Sequence, residues 1–225
     1  MKGFWKSSIG KKFIMSLSGL FLIIFLLLHM TLNLTMLIDP VKGEAYNLAA
    51  NFMATNPFIK IMEPILAIGF IIHILYGIIV QLNNWKARGN DRYALVNQKE
   101  SSTWSSRNMI WLGIFIFGFL TVHIINFYWK IKFTGGLETV TIGGKEMHNT
   151  FAMVTTLFDV WWYDLIYIVS FIALGLHLHH AFWSSFHTLG WNNKLWRRRL
   201  EVIGDIYAYV IVIGFSIIPL YFLIF

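Results

Sequence analysis

The run FIMSLSGLFLIIFLLLHMTLNLTMLI, residues 13–38, contains no charged residue and a single histidine, His29. A helix needs about 20 mostly apolar residues to cross the hydrocarbon core of a bilayer. The run therefore predicts a membrane-spanning helix. A signal-peptide core is shorter and is followed by small residues at a cleavage site, so we interpret the run as a retained span.

Four similar apolar runs follow the first one. Of the 225 residues 57% are hydrophobic and 13% are charged, about half of the charged share of a soluble domain. Helices are expected, because separate apolar runs cannot close a barrel in lipid. The predicted fold class is an all-α membrane protein of one domain, with spans at about 13–38, 57–83, 108–129, 161–189 and 202–225.

Composition also excludes several kinds of cofactor and partner. The sequence has no cysteine, which rules out disulfides, thiolate-held iron–sulfur clusters and covalently attached haem. The net charge of +7 is carried at the ends of the apolar runs, where basic residues meet lipid head groups. Membrane lipid is therefore an expected partner, and nucleic acid is not.

The basic residues predict the orientation of the chain. Cytoplasmic loops are enriched in lysine and arginine, and most of the 18 such residues fall on one side of the five predicted spans. The N-terminus is thus predicted to be cytoplasmic and the C-terminus to lie outside. The residues on the basic side are Lys2, Lys6, Lys11, Lys12, Lys86, Arg88, Arg92, Lys99, Arg107, Lys194, Arg197, Arg198 and Arg199.

Each of the first four spans carries a histidine embedded in apolar sequence. His29 and His123 fall in the outer half of their spans, and His73 and His177 fall in the inner half. The two levels are about 9–14 Å apart at 1.5 Å per residue. Gly19 and Gly113 lie near the inner level, where a flat macrocycle needs small neighbours.

An ionisable ring in lipid needs a partner inside the bundle. A hydrogen bond to a neighbouring helix would explain one such histidine, but it explains poorly four that are paired by depth. Two neutral imidazoles from two helices can hold one haem iron. We therefore predict four helices bundled around two stacked b-type haems, with axial ligands His29 and His123 on the outer haem and His73 and His177 on the inner one.

Span four contains three further histidines that compete for the ligand role. His180 is the main rival of His177, because it lies only 60° away around the helix and one turn deeper. His179 points about 200° away from His177. His187 falls near the inner interface, where an interfacial role is expected.

Four stretches together resemble a known family. They are LSGLFLIIFLLLHMTLN on span one, GEAYNLAANFMATNPF before span two, EPILAIGFIIHILYG on span two and HLHHAFWSSFHTLGW on span four. The chain resembles the five-helix dihaem cytochrome b subunit of succinate:quinone oxidoreductases and fumarate reductases. The resemblance implies the same four ligands and the same pairing. Some relatives carry a proton-conducting Glu two residues before the span-four ligand, whereas this chain has Gly175 there.

The resemblance implies partners that this chain cannot replace. A flavoprotein subunit and an iron–sulfur subunit are expected on the cytoplasmic face, in the inner membrane of a bacterium, and a dimer of the heterotrimer is compatible with the family. The chain would be the quinone-reactive subunit of the respiratory enzyme, with menaquinone as the expected quinone and no dicarboxylate chemistry of its own. The sequence leaves the direction of the reaction open.

Three polar residues are candidates for supporting roles. Glu63 is a protonatable group just inside an outer span end, which is where a quinone site is expected, although an acid there can also complement the helix dipole. Ser16 and Arg107 lie near the inner interface and are candidates for haem propionates.

Two other functions fit parts of the sequence. A dihaem cytochrome b of another quinone-linked enzyme, such as a formate dehydrogenase or a hydrogenase, would share the histidine pattern. A proton or metal transporter would also use histidines within the membrane.

Overall fold

The computed structural model describes residues 3, 7–88, 104–191 and 193–225, without the side chain of Arg88. Lys2, Lys6, Arg92 and Lys99, which contribute to the predicted basic side, lie outside the described residues. The described chain is mostly helical. Its helices are α1 (Ser8–Leu34), α2 (Glu44–Thr55), α3 (Pro57–Arg88), α4 (Trp104–Arg107), α5 (Met109–His123), α6 (Lys130–Phe133), α7 (Thr150–Phe158), α8 (Trp161–Thr188) and α9 (Lys194–Ile224).

Short irregular helices and one hairpin complete the described fold. A 3₁₀ turn, Thr35–Leu37, extends α1, and a π-helical turn, Ile124–Trp129, joins α5 to α6. The strands β1 (Thr139–Ile142) and β2 (Lys145–His148) pair in antiparallel fashion, with Thr139 opposite His148. Gly143 and Gly144 form the two-residue turn with positive φ at both positions, as a tight hairpin requires.

The prediction of five spans is confirmed, because five helical stretches of the described chain are long and apolar enough to cross a membrane. Two of them begin earlier than the apolar pattern predicted, at Ser8 and Lys194. Polar caps explain both extensions, since Ser7 Oγ accepts from the Gly10 amide at 3.0 Å and Asn193 Oδ1 accepts from the Trp196 amide at 2.9 Å. A capped first turn is stable even where its residues are charged.

Four of the spanning helices form a ring. Helix α1 packs against α3 and α8, and α5 packs against α8 and more loosely against α3. Across the ring, α1 and α5 do not pack closely in the described part of the chain, nor do α3 and α8. Helix α9 lies outside this ring against α8 and α1, and Tyr207 Oη donates a hydrogen bond to the Ile23 carbonyl at 2.6 Å.

The two ends of the ring differ. At the end we call the basic end, Ser8, Lys11 and Lys12 of α1 line a small crevice with Asn83 and Asn84 of α3. At the opposite end, which we call the capped end, α2, the hairpin and α7 cover the helices. Phe151 of α7 contacts the Phe222 ring near the end of α9, so the cap continues the apolar core.

A buried asparagine joins the parts of the cap. Asn47 of α2 is 1% exposed. Its Oδ1 accepts from Thr150 Oγ1 at 3.0 Å and from the Phe151 amide at 2.9 Å, and its Nδ2 donates to Asn149 Oδ1 at 3.1 Å. Asn149 Oδ1 in turn caps α7 by accepting from the Ala152 amide. The neighbouring Tyr46 is buried in the same cap, and this burial raises its pKa to about 12.

Candidate functional site

The outer pair of predicted ligands meets inside the ring. The rings of His29 on α1 and His123 at the end of α5 meet edge to face, with centroids 5.7 Å apart and planes at 89°. Phe25 stacks on His29, with 5.4 Å between centroids, and Phe215 of α9 lies 5.7 Å from the same ring. Aromatic side chains therefore line the pair on several sides, and Asn33 Nδ2 lies 3.5 Å from His29 Nε2.

The inner pair also meets, nearer the basic end. The rings of His73 on α3 and His177 on α8 have centroids 6.3 Å apart and planes at 71°. Ser18 Oγ lies 3.4 Å from His73 Nδ1, and a Cβ at Gly19 would lie 3.3 Å from the His73 ring. Gly19 thus lies at the inner level, as its spacing predicted. Gly113 has open space beside it, with no atom of the described chain within 4 Å of a built Cβ.

The geometry of both pairs is compatible with a shared metal between the rings. Metal–imidazole bonds are about 2.0–2.1 Å long, so two rings on opposite sides of one metal have centroids roughly 6 Å apart. The two observed spacings lie on either side of that value. In addition, His123 Nδ1 and His177 Nδ1 are buried and lack a hydrogen-bond partner among the described residues. The donor set, two neutral imidazoles per pair, fits the axial ligands of a b-type haem.

The other histidines of α8 have different surroundings from His177. His180 contacts the Trp183 ring at 5.3 Å, and its buried Nδ1 has no hydrogen-bond partner in the described chain. His179 points away, with its Nδ1 2.5 Å from Asp205 Oδ1 on α9. His187 is exposed at the basic end beside Trp183. Of the four, His177 is the one whose ring faces His73.

Glu63 joins two spans at the capped end, in an arrangement that the sequence analysis did not anticipate. Its Oε1 accepts from Tyr128 Oη at 2.5 Å, and its Oε2 accepts from Lys132 Nζ at 2.9 Å. Tyr128 belongs to the π-helical turn that begins directly after His123, and Lys132 lies on α6. A contact with basic or phenolic groups seventy or so residues away in sequence leaves no local signal, which is why the sequence did not reveal these partners.

The π-helical turn places a second polar group beside the outer pair. Asn126 is buried, and its Nδ2 donates to Tyr167 Oη of α8 at 3.2 Å. The Tyr167 ring lies 6.2 Å from the His123 ring. Turns of π-helix are rare and often occur at functional sites, and this one directs Asn126 towards α8 and Tyr128 towards α3.

The two propionate candidates lie at the basic end. Ser16 is buried on α1, two residues before Ser18, which contacts His73. Arg107 ends the short helix α4, which packs against α8.

Gly175 is buried where α8 meets α9, and a Cβ there would lie 2.4 Å from Val212 Cγ2. A glutamate at this position would therefore clash with α9.

The arrangement offers two facing imidazole pairs inside an apolar bundle and one carboxylate held by a phenol and an ammonium group. No family model matches the chain, and neither a curated protein nor a solved structure matches it.

Proposed function

We propose that the chain is the dihaem cytochrome b membrane subunit of a succinate dehydrogenase or fumarate reductase. It would carry electrons between an iron–sulfur subunit and a membrane quinone. The observation that carries the proposal is the meeting of four histidines in two pairs, His29 with His123 and His73 with His177, each across the ring of helices. The four motif stretches support the choice of family.

The roles of the residues follow from where they lie. His29 and His123 would hold the haem nearer the capped end, and His73 and His177 would hold the haem nearer the basic end. Haem iron with two imidazole ligands supplies one-electron transfer and has no open position for a substrate. The phenylalanines around the outer pair would keep water from it. Ser16 and Arg107 are the proposed propionate contacts.

Glu63 is the proposed proton-handling residue of a quinone site at the capped end. Both of its oxygens are hydrogen-bonded, to Tyr128 and to Lys132. Lys132 holds a positive charge beside the carboxylate, and the Tyr128 hydroxyl is a donor that a quinone oxygen could accept from. We extend the proposed site to these two residues, with menaquinone as the proposed substrate.

The proposed partners are a flavoprotein and an iron–sulfur subunit on the basic end, which would face the cytoplasm. Lys11, Lys12, Lys194, Arg197, Arg198 and Arg199 lie at this end of the described chain. The orientation of a chain in the membrane also explains basic loops on the cytoplasmic side. The proposed docking of these subunits therefore rests on the resemblance to the dihaem cytochrome b family.

A transporter of bare metal ions has less support. Such an ion takes about four protein ligands in a closed site, and the described residues contain no group of three or more histidines and acids that could hold one. A haem needs only two axial ligands from the protein, which is the number that each pair provides.

Purification of the chain from its native membrane, followed by analysis of the haem and the subunits that copurify with it, tests the proposal. We expect a reduced b-type absorbance spectrum, two haems per polypeptide, and copurifying flavin- and iron–sulfur-containing subunits. A chain with two haems but a different set of partner subunits would assign it to another quinone-linked enzyme. A chain without haem, although folded and monodisperse, would contradict the proposal.

A further inference from the structure

A buried acid at the capped end has no part in the site described so far. Asp164 lies in the first turn of α8 and is 1% exposed. Neither of its carboxyl oxygens has a hydrogen-bond partner within the described chain. A buried carboxylate without donors is strongly unfavourable, so its surroundings favour the neutral acid.

The surroundings of Asp164 connect it with the outer histidine pair. Tyr167 lies three residues further along α8 and therefore on the same face. The Tyr167 hydroxyl accepts from Asn126, and its ring contacts His123. The unpartnered carboxyl group of Asp164 thus lies one turn along α8 from Tyr167, the residue whose ring contacts the outer pair.

Although Asp164 is buried, it is close in sequence to exposed residues. It lies a few residues after the end of α7, and Asp159, which caps the C-terminus of α7, is exposed. A buried acid a few residues from an exposed chain segment has the position that proton exchange with water requires.

We propose that Asp164 exchanges protons between the outer aqueous side and quinone chemistry near the outer histidine pair. This inference rests on the proposed function. Reduction of one quinone to quinol consumes two electrons and two protons, and oxidation of quinol releases the same numbers. The electrons pass to or from the iron–sulfur subunit. During quinone reduction the carboxylic acid of Asp164 gives one proton to the reduced quinone, becomes a carboxylate and is reprotonated from the outer water, and two such cycles supply both protons. During quinol oxidation the same steps run in reverse. Asp164 is thus a second acid at the capped end, on the opposite side of α5 from Glu63.

The alternative role of Asp164 is a charged residue that complements the dipole at the start of α8. The two roles predict opposite results for Asp164→Asn. If the acid is neutral, the isosteric amide keeps the thermal unfolding midpoint of the intact complex. If the acid is a charged dipole partner, the amide lowers the midpoint, and added salt reduces the difference from wild type.

Redox-triggered infrared difference spectra of the complex, together with turnover, test the proposal. We expect a protonated-carboxyl band that D164N abolishes, that Asp164→Glu shifts, and that the matched control D159N leaves in place. Quinone-coupled turnover should fall at least tenfold in D164N, recover in D164E and stay near wild type in D159N. Haem content and turnover with an artificial acceptor should be unchanged in all three variants.

Two results would overturn the inference: an unchanged carboxyl region in D164N, or wild-type quinone-coupled turnover in D164N with both haems present. If D164N does not fold, the same spectra of D164E decide, because an unshifted carboxyl band excludes this residue as the source. A wild-type chain without haem would instead contradict the proposed function. Infrared spectra recorded across a pH titration of that chain would still show whether D164N removes a protonated acid.

Discussion

At the scale of single residues, the histidine pairs carry the most direct prediction. His29→Ala or His123→Ala should reduce haem content from two per polypeptide to one, because each variant removes one of the two ligands that we propose for the outer haem. His73→Ala should remove the inner haem in the same way. Haem quantitation per polypeptide measures the effect, and His148→Ala, on the exposed hairpin, is the control. Two haems in any ligand variant would contradict that assignment.

The four histidines of α8 can be separated by the same measurement. His177→Ala should abolish the proposed inner haem and its low-spin resonance, because among the described histidines of α8 it is the His177 ring that contacts His73. His179→Ala, His180→Ala and His187→Ala should keep it, since their rings contact Asp205 or Trp183 instead. Loss of the inner haem in H180A with retention in H177A would shift the ligand by one helical turn.

Glu63→Gln should slow quinone-coupled turnover by at least about tenfold, in the range expected for loss of one proton-transfer group. The amide preserves size and can still accept from Tyr128, so both haems and turnover with an artificial acceptor should be retained. Lys132→Met removes the ion pair without removing the acid and serves as the matched comparison. Wild-type quinone turnover in E63Q would leave Glu63 with a purely structural role between α3 and α6.

Several of these residues could be predicted from the sequence and others could not. His29, His73, His123 and His177 stand out because an ionisable ring in an apolar run is costly unless it has a partner. Tyr128 and Lys132 do not stand out, since aromatic and basic residues are common at membrane interfaces. Asp164 is hidden for a related reason, because an acid in the first turn of a helix looks like an ordinary dipole partner.

At the scale of helices and strands, the cap is the part of the fold that the pattern of apolar residues does not predict. The apolar runs predicted the spans, but α2, the hairpin and α7 are short and their stability depends on contacts between distant segments. Asn47 bonds to residues about a hundred positions away. Nothing near Asn47 in the sequence indicates these partners, so the cap could not be predicted from the sequence and is known only from the structure.

Asn47→Ala should destabilise the cap by about 1–3 kcal/mol, because it leaves buried donors of Thr150 and Phe151 without their acceptor. The change in thermal unfolding of the purified protein measures this effect. Asn51→Ala, one turn further along α2 and only partly buried, is the control and should cost less. Equal effects of the two substitutions would mean that the Asn47 hydrogen bonds contribute little.

Gly43 is a second residue of the cap at which substitution should be costly. Its φ is +66°, and a Cβ there would lie 2.0 Å from the Phe151 ring. Gly43→Ala combines backbone strain with a clash against a buried ring, so it should destabilise the protein more than N47A does. Gly136→Ala, on the loop before the hairpin with no crowding and no positive φ, should be close to neutral in the same unfolding assay.

At the scale of the whole molecule, the basic end and the capped end should face opposite sides of the membrane. The absence of cysteine from the sequence allows single cysteines to be introduced without background. A membrane-impermeant thiol reagent should label Lys145→Cys on the hairpin in intact cells and should label Lys194→Cys only after the membrane is opened. The reverse pattern would invert the topology inferred from the basic residues.

The ring of helices has a consequence for the order in which the protein matures during synthesis. His29 meets His123 and His73 meets His177, so each pair joins alternate spans and no single hairpin of neighbouring spans holds a complete pair. A nascent chain completes the first pair when its third span has entered the membrane, and the second pair only after the fourth. Ribosome-bound intermediates should therefore acquire their two sites in succession, the one nearer the cap before the one nearer the basic end.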